Sequence, residues 1–239
     1  LALDPADNLV VYETGNSRLQ VLAPNGAHQK SFRMFEGYSS MLLDDAGMIF
    51  CSPFGVNKPL VRVFDSKGKL KQSFGHRIMF KKPIFGLNKV FMSRNNKGEI
   101  YVAWELFPLV RRYTADFKLD AEFKLKREKM VKNARFNRNS IANPSGAMQL
   151  KMVNAGLRAF DDGFYLFSFY PRIEILEYDR DANLRNYYWA DQPYDLIVND
   201  FCVKVIERGG KKEKVFYVLQ AFPDNVVSVF RTGNAGPGK

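Results

Sequence analysis

The stretch that decides the fold is LALDPADNLVVYETGNSRLQVLAPNGAHQKSF (1–32), and its pattern returns as MLLDDAGMIFCSPFGVNKPLVRVFDSKGKLKQSF at 41–74. Each copy reads as an apolar strand, a tight turn opening on Asp, an alternating strand, a loop, a second alternating strand, a second turn and a polar strand. Gly and Asn supply the positive φ that such hairpins need, and Asp caps the turn backbone. A four-stranded antiparallel sheet with two apolar faces cannot bury itself alone, so copies must stack on one another.

Three further units follow the same template. Aligning the aromatic or leucine anchor of the third strand gives Leu22, Phe64, Tyr113, Tyr178 and Phe230. The intervals are about 42, 49, 65 and 52 residues, near the ~40–50 of propeller blades apart from one stretched interval. First-hairpin turns fall at Asp4–Asn8, Asp44–Gly47, Asn95–Gly98, Asp161–Gly163 and Glu207–Lys211. Second turns fall at Pro24–Gly26, Asp65–Gly68, Thr114–Phe117 and Asp179–Asn183. Between turns the apolar residues alternate, as in Val61-Arg62-Val63-Phe64 and Val226-Val227-Ser228-Val229-Phe230. The predicted fold is an all-β propeller of four-stranded antiparallel blades over 1–232. The blades are placed at 1–36, 37–80, 86–125, 154–190 and 194–232, with an insertion at 126–153 and a flexible tail at 233–239.

The net charge of +11 favours an anionic partner. No run approaches the ~18 apolar residues of a membrane helix. The two cysteines, Cys51 and Cys202, fall on different blades, so no disulfide is expected and both are read as buried thiols. The sequence opens inside a strand, so it is read as a fragment or a processed product.

The segment Asp4-Pro5-Ala6-Asp7-Asn8-Leu9-Val10-Val11-Tyr12-Glu13-Thr14-Gly15-Asn16-Ser17-Arg18-Leu19-Gln20-Val21-Leu22 closely resembles the NHL repeat, in which Asp-Pro-x-Gly-Asn, an apolar strand, Asp-x-Gly-Asn-x-Arg and Ile-Gln-Val-Phe follow one another. Glu13 stands where that family usually has Asp. The family arginine is matched by Arg18 alone; Leu60, Leu109, Glu174 and Val226 take its place in the other units. The resemblance implies a six-bladed propeller of bacterial type. Five blades are visible here, so it also implies a sixth blade and a closing strand upstream, and it leans toward an exported protein.

Loops between second and third strands share a propeller face with the connections from blade to blade, and two features mark that face. One is an aromatic and proline rim at Ser52–Gly55, Leu106–Pro108, Phe169–Pro171 and Ala221–Pro223, where Trp104, Phe107, Tyr170 and Phe222 are candidate ligand contacts. The alternative is that these rings fold down onto the sheet edges. The second is charge. The connection from blade two to blade three carries Arg77, Lys81 and Lys82; the longer one after blade three carries Lys124, Lys126, Arg127, Lys129, Lys132, Arg135 and Arg138 with Phe136 interleaved. A connection longer than ~15 residues is commonly functional. Met130, Val131 and Ala134 would share one face of a short helix. The candidate binding residues are therefore Arg77, Lys81, Lys82, Trp104, Phe107, Lys126, Arg127, Arg135, Arg138, Tyr170, Arg172 and Phe222.

This pattern suits a protein or an anionic polymer as partner. No RNA-recognition or helix-turn-helix motif accompanies it, so nucleic acid is left open and not favoured. No catalytic residue, metal site or cofactor is assigned. Only His28 and His76 are present, and they fall at opposite ends of the blades. Asn88, Asn154 and Asp195 lie near the starts of first strands, but their registers do not coincide as a calcium site requires. Asp44-Asp45 and Asp161-Asp162 are explained by turn chemistry. The chain reads as a binding or scaffold propeller; the alternative is a lactonase-, hydrolase- or lyase-like propeller with a metal in its channel.

Overall fold

The computed structural model describes residues 2–13, 15–34, 37–55, 57–81, 84–143, 148–168, 172–190, 197–208, 210–222 and 226–232. The chain is all-β apart from one helix, and its sheets are the blades of a β-propeller. Blade one comprises β1 (Ala2–Leu3), β2 (Leu9–Glu13), β3 (Arg18–Leu22) and β4 (His28–Arg33). Blade two comprises β5 (Tyr38–Leu43), β6 (Ile49–Pro53), β7 (Val61–Phe64) and β8 (Leu70–Phe74). Blade three comprises β9 (Val90–Arg94), β10 (Ile100–Trp104), β11 (Leu109–Tyr113) and β12 (Leu119–Lys124), and is followed by the helix α1 (Glu128–Ala142). Blade four comprises β13 (Gly156–Phe160), β14 (Gly163–Ser168), β15 (Ile173–Asp179) and β16 (Leu184–Ala190). Blade five comprises β17 (Ile197–Arg208), β18 (Lys211–Phe222) and β19 (Val226–Arg231). Each sheet is a simple meander; four have four strands and the fifth has three among the described residues.

The turns follow one chemical rule. The Asp4 carboxylate accepts from the backbone N–H of Ala6 and Asn8, Asp44 from Ala46 and Met48, Asp65 from Lys67 and Lys69, and Asp179 from Asp181 and Asn183. Three residues after each aspartate the backbone turns left-handed, at Asp7, Gly47, Gly68 and Ala182. Gly68 is required for a second reason: a Cβ there would stand 2.5 Å from the Phe32 ring of blade one.

The recurring anchor residue has a geometric meaning. In blades one to four the ladder between third and fourth strands shifts register immediately before it, at Val21/Leu22, Val63/Phe64, Arg112/Tyr113 and Glu177/Tyr178. The pairs after the shift are Leu22 with His28, Phe64 with Leu70, Tyr113 with Leu119 and Tyr178 with Leu184. A bulge of this kind bends the strand and re-aims the side chain that follows it.

The described chain divides into two compact units, Leu1–Val153 with Ala159–Asp161 and Asn154–Arg158 with Asp162–Lys239. In the first, the opening strands β1 and β5, and β5 and β9, lie side by side, as the inner strands of neighbouring blades do. Blades one and two share a core of Val10, Leu19, Val21, Met34, Tyr38, Ile49, Cys51 and Phe64. Blades two and three meet through Phe74, stacked on Phe117 at 5.0 Å and edge-on to Tyr113 at 5.0 Å. In the second unit Phe167 stacks on Phe201 at 5.2 Å, and Phe216 packs on Tyr188 at 4.8 Å. There the Glu177 carboxylate accepts from the Lys214 ammonium at 2.6 Å, from the Tyr188 hydroxyl and from Asn186. Burial alone would raise the Glu177 carboxyl; these three donors overcome it and hold the group below its ordinary value.

Both cysteines are unpaired, on the predicted strands. Cys51 is buried, and burial pushes its thiol up to about 12. The expectation for Cys202 is corrected: its side chain is exposed, because it alternates with the buried Phe201 and Val203 and so points to the opposite face of β17. The predicted tail at 233–239 lies outside the described residues.

Candidate functional site

The site is built around α1. Its sequence, EKMVKNARFNRNSIA, buries Met130, Ala134 and Asn137, a spacing of four and three that lies on one helix face. Asn137 is the pin. Its amide donates to the carbonyls of Leu106 at 2.9 Å and Lys151 at 2.7 Å, and its oxygen accepts from the Lys151 N–H at 2.7 Å. Glu128 in the first turn complements the helix dipole, and the Arg127 carbonyl receives the Val131 N–H. Nearby, the chain enters and leaves the connection on backbone bonds to one loop: Leu125 N–H to Pro108, and Val153 N–H to Glu105, each 2.8 Å.

Between α1 and blade three lies a groove of about 610 Å³. Its floor is apolar: Ile78, Phe107 to Leu109, and Leu125, with Val131 and Ala134 as the helix wall and Met79 at the edge. Its cations are Arg77, Arg111, Lys124, Arg135 and Arg138, against one carboxylate, Glu122. That carboxylate is taken by Arg111 at 2.8 Å, and Arg111 also donates to the His76 carbonyl. Arg135 and Arg138 are exposed and meet no carboxylate among the described residues. The two basic connections and the β10–β11 loop therefore converge, as the template places them.

The structure sorts the remaining candidates by what each side chain touches. Arg77 lines the groove but is committed inward. Its guanidinium donates to the carbonyls of Lys58 at 2.8 Å, Pro59 at 3.3 Å and Pro53. Burial depresses its pKa. The expectation that it presents charge to a ligand is corrected: its guanidinium is turned onto backbone carbonyls at the end of β6 and in the loop that follows, where it ties the loop together. Trp104 is likewise corrected. It is fully buried, its indole N–H donates to Asn88 at 2.9 Å, and the Arg111 guanidinium lies 4.9 Å over its ring. Asn88 in turn makes two bonds to the backbone of Ile78, so this residue staples the connection to β10. Glu105 is paired with Lys89 at 2.9 Å.

Phe107 is folded down, 3 % exposed and 5.7 Å from Phe80, yet it forms part of the groove floor. Lys126 is exposed and Arg127 half-buried, both at the start of α1; Lys81 is exposed on the preceding connection. Arg172 belongs to the second unit, where it lies 4.4 Å over the Trp189 ring, donates to the Tyr187 hydroxyl at 2.7 Å and faces Glu174 at 3.5 Å. Lys82 and Tyr170 lie outside the described residues, as does the side chain of Phe222, whose backbone ends β18. Sequence reasoning missed Asn137, whose only signal was its spacing from Met130 and Ala134, and Met79, which is 88 % exposed at the groove edge.

Among the described residues no three His, Cys, Asp or Glu side chains converge as metal ligands would. No described helix is long and apolar enough to cross a membrane.

No family model matches the chain, and no curated protein matches it by sequence. Solved structures do resemble it. A catalytically inactive virginiamycin B lyase from Staphylococcus aureus, crystallised with quinupristin, superimposes with a TM-score of 0.57 at 10 % identity, over 96 % of this chain and 68 % of that one. Sqt1 from Saccharomyces cerevisiae gives 0.58 at 10 % identity, over 96 % and 57 %. A protein of unknown function from Bacteroides caccae gives 0.51 at 12 %, over 95 % and 73 %. At such identity the likeness is one of architecture, and with the five meander sheets it makes this chain a β-propeller.

Proposed function

We propose that the chain is a non-catalytic binding propeller of NHL-like blades that takes a protein or an anionic polymer in the groove between α1 and blade three. The observation that carries this reading is the pairing of Arg135 and Arg138, exposed and without carboxylate partners among the described residues, with an apolar pocket floor directly beside them. Two of the other three groove cations are spent internally, Arg77 on carbonyls and Arg111 on Glu122, while Lys124 is exposed and adds to the positive edge. Two guanidinium groups left open on a helix that a buried asparagine holds in place are a rigid anion-recognition edge. The overall charge of +11 adds long-range attraction for the same class of partner.

The test separates the groove from the general charge. Arg135→Glu with Arg138→Glu is compared with Lys69→Glu and Lys71→Glu, an equal change of charge on exposed residues of blade two. Binding to immobilised polyglutamate is measured against salt. The groove variant is expected to lose about tenfold more affinity than the control and to show a flatter salt dependence. Equal losses in the two variants would remove the groove as the binding site.

A further inference from the structure

We infer that the partner of this groove is a protein segment: a short acidic stretch with one bulky apolar side chain, which lies on the floor while flanking carboxylates engage Arg135 and Arg138. The inference rests on the binding role proposed above and names the ligand chemistry of the same groove.

The wall presented by α1 decides the geometry. Val131, Ala134, Arg135 and Arg138 follow one another at three, one and three residues, so apolar and cationic groups form one stripe along the groove. Both cations are arginines, whose planar forks take carboxylate or phosphate in two parallel bonds. The apolar lining decides between those two anions. Met79 is 88 % exposed and Val131 38 % exposed, and both line the groove beside Phe107 and Leu109. A sugar–phosphate chain has no use for such a floor, whereas an apolar side chain gains by leaving water for it. An exposed methionine adapts its shape to an apolar guest. The volume, about 610 Å³, falls in the 300–1,000 Å³ range of sites that enclose a compact ligand.

Single-stranded nucleic acid is disfavoured by the state of the aromatic rings. Its sequence-tolerant binding uses open ring faces on which bases stack. Phe107 is buried against Phe80, Trp104 is buried beneath Arg111, and the Phe136 ring carries the Lys151 ammonium at 4.4 Å. Phe107 and Trp104 offer no free face, and Lys151 occupies one face of Phe136, which does not line the groove. Among the described residues the groove thus combines arginine forks with an apolar seat and presents no open ring as a stacking platform.

Fluorescence anisotropy on the whole chain tests this with three labelled probes: an acidic heptapeptide with a central phenylalanine, the same peptide with glycine there, and an oligouridylate of equal charge. The phenylalanine peptide is expected to bind about tenfold more tightly than the glycine peptide. Val131→Asp, at a position exposed enough to leave folding intact, should bring the two peptides level, while Arg135→Glu with Arg138→Glu weakens both. Equal binding of the two peptides to the unaltered chain, binding by neither, or tighter binding of oligouridylate than of either would overturn the peptide proposal. The broader reading of an anionic partner survives those results if the double arginine variant still weakens polyglutamate or oligouridylate binding more than the blade-two control, and fails with them if it does not.

Discussion

Blade three and blade five follow the same order of strands and turns, yet they end up differently. In blade three every residue of β10 is buried, and β11 is almost as well covered because the polar strand β12 closes its outer side. In blade five the first two strands run for twelve residues each, and β19, the third strand, has no fourth strand beside it among the described residues. Its valines, Val226, Val227 and Val229, are exposed, and its accessibility resembles that of the outer strands β4, β8 and β12. Alternation specifies that a segment is a strand; its neighbours decide whether the strand is interior.

That comparison can be broken most sharply by truncation. Trp104→Ala in β10 should cost about 3–5 kcal/mol in urea unfolding, since a filled space is emptied and the Asn88 staple is lost. Val227→Ala in β19 should change stability by no more than about 0.5 kcal/mol. Comparable losses from the two would show that β19 is covered in solution. A smaller effect, about 1–3 kcal/mol in all, is expected from Asn137→Ala, which removes the bonds to the Leu106 and Lys151 carbonyls and from the Lys151 N–H. Its signature is local: hydrogen exchange should accelerate across 128–142 while the amides of β10 stay protected.

A pH series sharpens the contrast from the side of blade five, whose Lys214 pairs with Glu177 of blade four. The folded Glu177 carboxyl sits below its ordinary value of 4.5, because the donors from Lys214, Tyr188 and Asn186 outweigh the burial that would raise it. Its contribution is therefore present above the unfolded value and lost as pH falls through the lower folded one. Glu177→Gln should be less stable than the parent at neutral pH, and the two thermal stability curves should converge in acid. The smallest change in folding energy is expected for Val227→Lys, within about 0.5 kcal/mol, but it should raise the concentration at which the chain begins to self-associate in light scattering, since a charge on a strand with no outer neighbour among the described residues opposes pairing with another chain.

The blade architecture was legible because it is written in local chemistry. All five anchors fall on third strands, and the Asp-headed turns sit where the template puts them. The bulge that gives the anchor its role was not legible, since a register shift leaves no composition of its own. At the site, sequence placed the basic connections and the β10–β11 loop together but misassigned two residues. Ile100–Trp104 is apolar throughout, which is the mark of a strand buried on both faces, and Trp104 should have been read with that strand rather than with the loop after it. Arg77 had no such signal, because nothing in a basic loop tells a cation that faces a ligand from one that feeds backbone carbonyls. The pattern of Met130, Val131 and Ala134 indicates a short helix but not its length; the rest of its fifteen residues is hidden by charge, and its pin is an asparagine in a stretch that reads as solvated.

The two ends of the excursion after blade three are tied within one short loop, at Pro108 and Glu105. A segment whose entry and exit nearly coincide behaves as a cassette: the sheet beneath it does not register how much chain lies between the two knots. Replacing 126–152 by a different helix, or by a brief linker, would leave blade three standing while changing what the groove accepts. Under the proposed binding role, exchanging this one insert would rewrite ligand choice, with the blades serving as an unchanged chassis.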